Sequence, residues 1–231
     1  MGGEARQQRC DEDLADVVAE LFVHDERVRG LEVSAQVDGG VVHLRGQVDR
    51  PDQLDAVRRL VGRLAGVYAV WDRVRVGGRD PIVLDLGCGD QRQYPTNIGV
   101  DRRHTPSVAA VADVARPLPF RDGAVDRIFA VHVLEHLIDF LPLVAECHRV
   151  LRPGGVLHVL SPWWKHVNAV ADPTHVRLLD TQTIKGICWG PDRPAWHPLH
   201  VGRDESTVFA DLTPAAAGDE PDPRHLARFF D

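Results

Sequence analysis

The stretch VLDLGCGDQRQYPTNIGVD, residues 83–101, constrains the fold of this chain more than any other part of its sequence. It begins with an apolar run that enters the glycines Gly87 and Gly89, and it ends with a second apolar run and Asp101. An apolar run that ends in a glycine turn is typical of a buried parallel strand, and a glycine lets a ligand approach the backbone because it carries no Cβ. An acid at the end of the second strand of such a sheet commonly binds ribose hydroxyls. The stretch therefore predicts a nucleoside site at the carboxyl edge of a parallel sheet.

The link between the two runs limits which nucleotide fits. A dinucleotide site requires a third glycine and a helix whose amino terminus faces a pyrophosphate. Here the third glycine is absent, Pro95 shortens any helix, and Asp101 follows Gly89 after only twelve positions. A nucleoside without phosphates needs only the glycine turn, a ribose acceptor and a slot for the base. We therefore expect a ligand of that kind.

The residues that follow predict further strands and helices in alternation. A short apolar segment precedes Asp113, DRIFAVHVLEHL indicates a strand that runs into a helix, and VAECHRVLRPGGVLHVLSP indicates a helix, a turn and another strand. HPLHV and TVFADL predict two closing strands, and RHLARFF predicts a final docking helix. Alternating strands and helices favour an α/β fold with a Rossmann-like, doubly wound and mostly parallel sheet.

The amino-terminal residues form a separate pattern. Helical spacing in DEDLADVVAELFVHD and RPDQLDAVRRLVGRLAG predicts two helices, and LEVSAQV and VVHLRGQV alternate around Gly39 and Gly40 as a β-hairpin. VYAVWDRVRV adds a third strand, so the predicted order is α-β-β-α-β. The glycine-rich stretch GGRD, residues 77–80, is the expected joint. We therefore expect two domains, residues 1–77 and 80–231.

Residues 10–76 resemble the BON domain, a small α/β module named for bacterial osmotic-shock and secretin-like nodulation proteins. The resemblance rests on DGGVVHLRGQV and AGVYAVWDRVRV in this element order. It implies contacts with protein or phospholipid. We expect docking or oligomerisation through this unit, with a protein partner or a second copy of the chain. The alternatives are membrane contact, which the lack of an export signal disfavours, and structural support.

Residues 82–179 resemble the class I S-adenosylmethionine-dependent methyltransferases, and within them the group called methyltransferase type 11. The resemblance rests on VLDLGCG, IGVD, ADVARPLPFRDGAVDRIFAVHVLEHL, RVLRPGGVLHVLSP and DPTHVR, which occur in the family's order. One subgroup shares both the compact link after the glycine turn and the Asp-Pro-Thr-His-x-Arg segment. The resemblance implies S-adenosyl-L-methionine as the cofactor and a small-molecule substrate.

Carried over by position, the resemblance assigns the cofactor contacts to residues at strand ends. A single acid at a strand end is equally well explained as a solvated carboxylate, so the prediction depends on the combination of two acids with the glycine turn. The assigned residues are Asp85, Leu86, Gly87, Cys88 and Gly89 around the methionine part, Asp101 at the ribose, Asp113 and Val114 at the adenine, and His132 at the inner face of the cofactor.

The catalytic candidates are two histidines and an aspartate. A methyl sulfonium is already a strong electrophile, so the site needs alignment, exclusion of water and sometimes a base. His136 and His175 are candidate bases because an imidazole accepts a proton near neutral pH. Asp172 precedes His175 in a segment beyond the fifth strand, where loops that face a substrate are expected. A packing role for His136 and a loop-bracing role for His175 stay open.

Two further groups of side chains invite a functional interpretation. Trp163 and Trp164 form either an aromatic wall for the substrate or a cover over the sheet edge. Several histidines and one aspartate have the chemistry of metal ligands, but their spacing alone does not establish a site, and we expect no metal. These residues are His132, His136, His166, Asp172, His175, His197 and His200.

The composition bears on the remaining classes of function. A net charge of −7 gives no overall electrostatic reason to bind nucleic acid. The start MGGEARQQRCDEDL lacks an apolar segment, and no run approaches the roughly 18 apolar residues of a membrane span. We expect a cytoplasmic methyltransferase that modifies an oxygen, nitrogen or carbon atom of a small molecule. Another reaction of the same cofactor, such as cyclisation or aminocarboxypropyl transfer, and a noncatalytic adaptor are the alternatives.

Overall fold

The structure of the chain is a computed structural model that describes residues 3–216, 218–219 and 221–230. It divides into two compact units, Met1–Pro81 and Ile82–Asp231. The predicted joint, residues 77–80, lies directly before this division. No helix among the described residues is long and apolar enough to cross a membrane.

The first unit has the predicted order α-β-β-α-β, with its last strand in two pieces. Its elements are α1 (Gly3–His24), β1 (Glu32–Asp38), β2 (Val41–Val48), α2 (Pro51–Val61), β3 (Ala69–Asp72) and β4 (Arg75–Val76). β1 and β2 pair antiparallel, and β3 and β4 both pair parallel with β2. Arg73 and Val74 separate β3 from β4 and belong to neither strand. The amino-terminal pattern therefore predicted this unit correctly except for that break.

Polar contacts fix how the helices of the first unit meet its sheet. The carboxylate of Asp11 accepts hydrogen bonds from the backbone N–H groups of Gly39 and Gly40, both at 2.9 Å, so α1 holds the hairpin turn. Arg58 of α2 forms a buried ion pair with Asp72 of β3, at 2.7 Å between Nη2 and Oδ2. Removing one partner of such a pair would leave the other charge buried and unpaired, which is strongly destabilising. The two contacts therefore hold both helices against the sheet.

A seven-stranded sheet organises the second unit. Its strands are β5 (Val83–Leu86), β6 (Ile98–Asp101), β7 (Ala110–Val111), β8 (Val125–Val131), β9 (Leu151–Pro162), β10 (Trp196–Arg203) and β11 (Thr207–Pro214). The spatial order is β10-β11-β9-β8-β5-β6-β7. β11 runs antiparallel to both of its neighbours, and the other pairs are parallel. The prediction of an α/β fold with a mostly parallel sheet is therefore confirmed.

The helices of the second unit all follow β8 in the sequence. They are α3 (Leu141–Val150), α4 (Asn168–Ala171), α5 (Thr181–Cys188) and α6 (Pro223–Phe230). The link from β5 to β6, residues 87–97, contains no helix, as its length and Pro95 predicted. The sequence pattern did not predict α5, whose first turn is capped by Asp180 Oδ1 accepting from the N–H of Thr183 at 2.9 Å.

The prediction of a helix directly after β8 was wrong. The chain forms only a 3-10 turn there, Leu134–His136. His132 has a φ of 55°, which lies outside the helical region, and the side chain of Glu135 turns inward to His132 and Ser161. A local bond to His132 and a tertiary bond to Ser161 therefore replace the expected helical hydrogen bonds at this position.

The order of the strands places a crevice at the middle of the sheet. The chain proceeds outward from β5 through β6 to β7, and then returns to β8 on the other side of β5. In open α/β sheets, ligands bind at the carboxyl ends of the strands where the strand order reverses in this way. The ends of β5, β6 and β8 are therefore the expected walls of a site.

Candidate active site

A cavity of about 380 Å³ lies at these strand ends. This volume is in the range of small-ligand pockets. Gly87 directly follows β5, Asp101 ends β6, and His132 directly follows β8, so the crevice of the sheet forms one wall. The lining residues are Gly87, Asp101, Arg102, Arg103, Ala112, Asp113, Val114, His132, Val133, His136, Leu137 and Thr174.

Gly87 is required by the shape of the turn that opens the cavity. Its φ is 60°, and a Cβ at this position would lie 3.0 Å from Cγ2 of Val133. A side chain would therefore strain the backbone and crowd the opposite wall. Gly89 also has a positive φ, and its N–H donates to Oδ2 of Asp101 at 2.9 Å, which ties the turn to the next strand.

Asp101 presents a carboxylate with free acceptor capacity to the cavity. Oδ2 accepts from the N–H of Gly89, and Oδ1 accepts from the N–H of Arg103 at 2.8 Å. Each carboxylate oxygen can accept about two hydrogen bonds, so Oδ2 keeps one lone pair free. Oδ1 has the same capacity but also lies 3.7 Å from Nε of Arg103. The arrangement suits a pair of neighbouring hydroxyl groups.

Asp113 and Val114 form the cavity wall beyond β7. The side chain of Asp113 is half-exposed, and its Oδ1 accepts from the N–H of Ala115 at 3.0 Å. Val114 is partly buried and packs against the hydrophobic core of the unit. An acceptor beside an apolar side chain is suited to a planar base that carries an amino group.

Four of the predicted cofactor residues do not line the cavity: Asp85, Leu86, Cys88 and Gly89. Asp85 is buried, and its Oδ2 accepts from the N–H of Gln93 at 2.5 Å and from Nδ2 of Asn97 at 3.3 Å. Burial raises the pKa of Asp85 to about 6, although these hydrogen bonds oppose the shift. Asp85 therefore stabilises the 87–97 link through its hydrogen bonds to Gln93 and Asn97. Leu86 lies in the hydrophobic core.

His132 is oriented by a buried carboxylate. Its Nδ1 lies 3.0 Å from Oε1 of Glu135, and Ser161 Oγ donates to Oε2 of Glu135 at 2.8 Å. Burial alone would raise the pKa of Glu135, but hydrogen bonds from His132, its own backbone and Ser161 hold it below its usual value. Glu135 is therefore ionised, and the Nδ1 of His132 is the donor.

A chain of hydrogen bonds fixes His136. Its Nδ1 lies 3.0 Å from Oγ1 and 3.3 Å from the backbone carbonyl of Thr174. The hydroxyl of Thr174 donates to Oδ1 of Asp172 at 2.6 Å. This hydrogen bond is the main reason why the pKa of Asp172 lies below its usual value. Because a carbonyl can only accept, the Nδ1 of His136 carries the proton. The neutral ring therefore keeps its lone pair on Nε2.

His175 lies behind His136 and does not line the cavity. Its side chain is 8% exposed, its Nδ1 lies 3.3 Å from the carbonyl of Ala169, and its ring is 4.7 Å from that of His136. Asp172 does not line the cavity either, but its carboxylate is hydrogen-bonded to the lining residue Thr174.

One group of side chains in the described ranges has the chemistry and proximity of metal ligands. One donor atom each of Glu135, His136 and His175 lie within 4.8 Å of one another. Both oxygens of Glu135 are already engaged, by His132 and Ser161. His166, His197 and His200 belong to no such group among the residues that the structure describes.

The sequence reasoning missed six lining residues: Arg102, Arg103, Ala112, Val133, Leu137 and Thr174. Arg102 and Arg103 follow Asp101 directly, and Ala112 precedes Asp113, so adjacency to a predicted residue was the available signal. Thr174 lies between Asp172 and His175, inside a segment already singled out. Its contact with His136 depends on the tertiary fold and has no local pattern.

The chain is similar in sequence to two known families of domains and to several known proteins. Residues 84–159 match the family model described as a methyltransferase domain, and residues 11–78 match the model of the BON domain. A probable S-adenosylmethionine-dependent methyltransferase of Mycolicibacterium smegmatis is 37% identical over 38% of this chain and 40% of its own length. The 27-O-demethylrifamycin SV methyltransferase of Amycolatopsis mediterranei is 30% identical over 45% of this chain and 44% of its own length.

Among solved structures, a SAM-dependent methyltransferase from Aquifex aeolicus is similar over 58% of this chain and 82% of its own, with 16% identity and a TM-score of 0.44. The chain spans about two fifths of the length of the curated relatives described above. The two family models cover separate parts of the chain, one in each compact unit. Residues 84–159 are therefore identified as a methyltransferase domain, and residues 11–78 as a BON domain.

Proposed function

We propose that the chain transfers a methyl group from S-adenosyl-L-methionine to an oxygen, nitrogen or carbon nucleophile of a small molecule. The observation that carries this proposal is the meeting of Gly87, Asp101 and Asp113 at one cavity without a helix amino terminus for phosphates. A turn without a Cβ, a carboxylate with free lone pairs and a second acceptor beside an apolar wall fit an adenosine. The second unit alone carries this proposal.

The lining residues divide into those that would hold the cofactor and those that would face the acceptor. Asp101 would accept from the ribose hydroxyls, Asp113 and Val114 would hold the adenine, and Gly87 and His132 would border the chain that carries the sulfonium. When bound, the sulfonium supplies an activated methyl group. The protein then has to align the acceptor, exclude water and take up a proton where the nucleophile carries one.

His136 is the proposed base. Its side chain lines the cavity, and the hydrogen bonds to Thr174 keep the Nδ1 protonated, so Nε2 is the atom that can accept a proton from the acceptor. Asp172 supports this role through the Thr174 hydroxyl and stabilises the positive ring that proton uptake creates. His175 would brace His136 from behind.

The test uses the full chain. Calorimetry with S-adenosyl-L-methionine should detect binding, and mass analysis of a reaction with cell extract should detect S-adenosylhomocysteine. Methylthioadenosine as the product would contradict methyl transfer and favour aminocarboxypropyl transfer or cyclisation. Absence of binding would contradict the proposal and favour a noncatalytic adaptor. Heat-inactivated protein in the same extract controls for other enzymes.

The BON domain is proposed to serve docking or oligomerisation. β1 is an edge strand of its sheet, and among the described residues no strand pairs with its outer side. Its side chains alternate between exposed and half-buried along all seven residues. An open edge of this kind is a template for pairing with another chain. A cytoplasmic location stays a prediction.

A further inference from the structure

The stretch between β9 and α5, called here the 163–178 segment, exposes much apolar surface. Val167 and Val170 are 63% and 66% exposed, Val176 and Leu178 are 50% and 53% exposed, and Trp164 is 43% exposed. Single exposed apolar side chains are ordinary on soluble proteins. A contiguous group of them in one short segment indicates a binding surface.

The 163–178 segment is attached to the cavity wall that contains His136. Thr174 belongs to both, and the N–H of Val176 donates to the carbonyl of Glu135 at 2.8 Å. Arg177 Nε donates to the carbonyl of Ile138 at 2.6 Å, and Ile138 directly follows the lining residue Leu137. The side chain of Ile138 is also largely exposed. The apolar surface therefore continues from the side of the cavity where the proposed base lies.

Positive charge accompanies this apolar surface. Lys165 Nζ lies 5.0 Å from the ring centre of Trp164, and the guanidinium carbon of Arg203 lies 4.3 Å from that of Trp163. Asp172 is the sole acid in the sequence of the segment, and its carboxylate already accepts from the N–H and hydroxyl of Thr174. Neither tryptophan lines the cavity. Trp164 is exposed, whereas Trp163 is partly buried and packs against the hydrophobic core.

We infer that the methyl acceptor is an amphiphile, an apolar small molecule of the acyl-chain or polycyclic kind that carries a negatively charged group. The inference rests on the proposed methyl transfer and names its substrate class. The apolar body would lie on Val167, Val170 and Ile138, and the anionic group would lie near Lys165 and Arg203. The nucleophilic atom would then reach into the cavity beside His136.

The test measures binding of the fluorescent fatty-acid analogue 11-(dansylamino)undecanoic acid to the full chain, with and without S-adenosylhomocysteine. Replacing Val167→Asn and Val170→Asn together should weaken binding about fivefold or more, because two apolar contacts are lost. The matched control is Val17→Asn with Val23→Asn, two exposed valines of α1 in the first unit, which should leave binding unchanged. Thermal melting checks that all variants fold.

A second comparison tests the charge. The methyl ester of the probe, which has lost the carboxylate, should bind the wild-type protein several-fold more weakly than the acid. In the Lys165→Ala, Arg203→Ala variant, acid and ester should bind equally. Equal binding of acid and ester by the wild type would overturn the anionic part of the inference.

Two results would overturn the whole inference. One is probe binding that the Val167→Asn, Val170→Asn variant retains in full. The other is a wild-type protein that does not bind the probe but sediments with vesicles of phosphatidylcholine and phosphatidylglycerol. That result would identify the segment as a membrane contact. Failure of the proposed function is distinguishable, because it would appear as absent cofactor binding in calorimetry or as methylthioadenosine in the product analysis, while probe binding without S-adenosylhomocysteine still reports on the segment.

Discussion

Asp85 and Asp101 are both acids near the ends of adjacent strands, yet their surroundings prepare them for different tasks. Asp101 lines the cavity and has lone pairs to spare after two backbone hydrogen bonds. Asp85 is buried beneath the 87–97 link, where Gln93 and Asn97 donate to it. At the residue scale, orientation decides whether a strand-end carboxylate binds a ligand or supports the backbone that does.

Replacing Asp101→Ala should weaken binding of S-adenosyl-L-methionine by about 1–3 kcal/mol, because charge-assisted hydrogen bonds to the ribose are lost. Calorimetry measures the change. Glu205→Ala, in the exposed turn between β10 and β11, is the control and should bind like the wild type. Unchanged affinity in Asp101→Ala would remove the ribose role from this residue.

The raised pKa of Asp85 predicts a pH-dependent stability. A folded-state pKa of about 6 against a usual 3.8 means that the stabilisation from Asp85 is complete below pH 3.8 and is lost as the pH rises through 6. In Asp85→Asn, which keeps an oxygen to accept from Gln93, this dependence should vanish. Relative to the variant, the wild type should lose about 1–3 kcal/mol of unfolding free energy between pH 4 and pH 7.

Urea unfolding of both proteins at several pH values, followed by tryptophan fluorescence, checks this prediction. Four of the five tryptophans lie in the second unit, so the signal reports mainly on the unit that contains Asp85. Taking the difference between wild type and variant removes the titration of every other carboxyl group. A difference that stays constant with pH would show that Asp85 is ionised in the fold without penalty.

At the scale of elements, regular patterns predicted regular structure, and the exceptions have tertiary causes. Alternation around Gly39–Gly40 predicted β1 and β2, and the apolar runs predicted β5, β6, β8 and both closing strands. The helix expected after β8 is a 3-10 turn because Glu135 hydrogen-bonds to Ser161 of β9, a contact that no local window contains. Helix α5 was missed because its capping aspartate follows an irregular segment.

The candidate site divides in the same way. Gly87, Asp101 and Asp113 come from short stretches with a recognisable pattern, and the resemblance to the methyltransferases added Val114 and His132. All five residues line the cavity. Thr174 could not be assigned, because its role arises from a contact between the 163–178 segment and the 3-10 turn, far apart in sequence. Local sequence patterns therefore do not predict side-chain contacts between elements that are far apart in the sequence.

This contact between elements can be tested at Thr174. Thr174→Val removes the hydroxyl acceptor at 3.0 Å and leaves only the longer contact to the backbone carbonyl at 3.3 Å. Because the remaining contact is weaker, part of the His136 population should shift its proton from Nδ1 to Nε2. Thr174→Ser retains the hydroxyl and should restore the wild-type tautomer. Long-range proton–nitrogen NMR spectra distinguish the two tautomers, with His136→Gln used to assign the signal. An Nδ1-protonated ring in all three proteins would mean that the hydroxyl has no positioning role.

At the scale of the whole molecule, the chain consists of two units with separate hydrophobic cores. One core is built on Val18, Val57 and Val61, and the other on Leu84, Ile128 and their neighbours. The cavity belongs wholly to the second unit, so the first unit contributes no lining residue in the described ranges. The open edge of β1 is the feature of the first unit that favours a partner.

Self-association through that edge predicts a charge-sensitive dimer. Ser34→Glu with Gln36→Glu adds two negative charges beside Glu32 and Asp38 on the exposed face of β1, which two antiparallel copies would bring together. Sedimentation equilibrium of the full chain should show a dimer for the wild type and a monomer for this variant. Added salt should partly restore the dimer, because it screens exposed charges. Val17→Glu with Val23→Glu, the same charge change at exposed positions of α1, should stay dimeric. A wild type that is monomeric at every concentration would contradict oligomerisation.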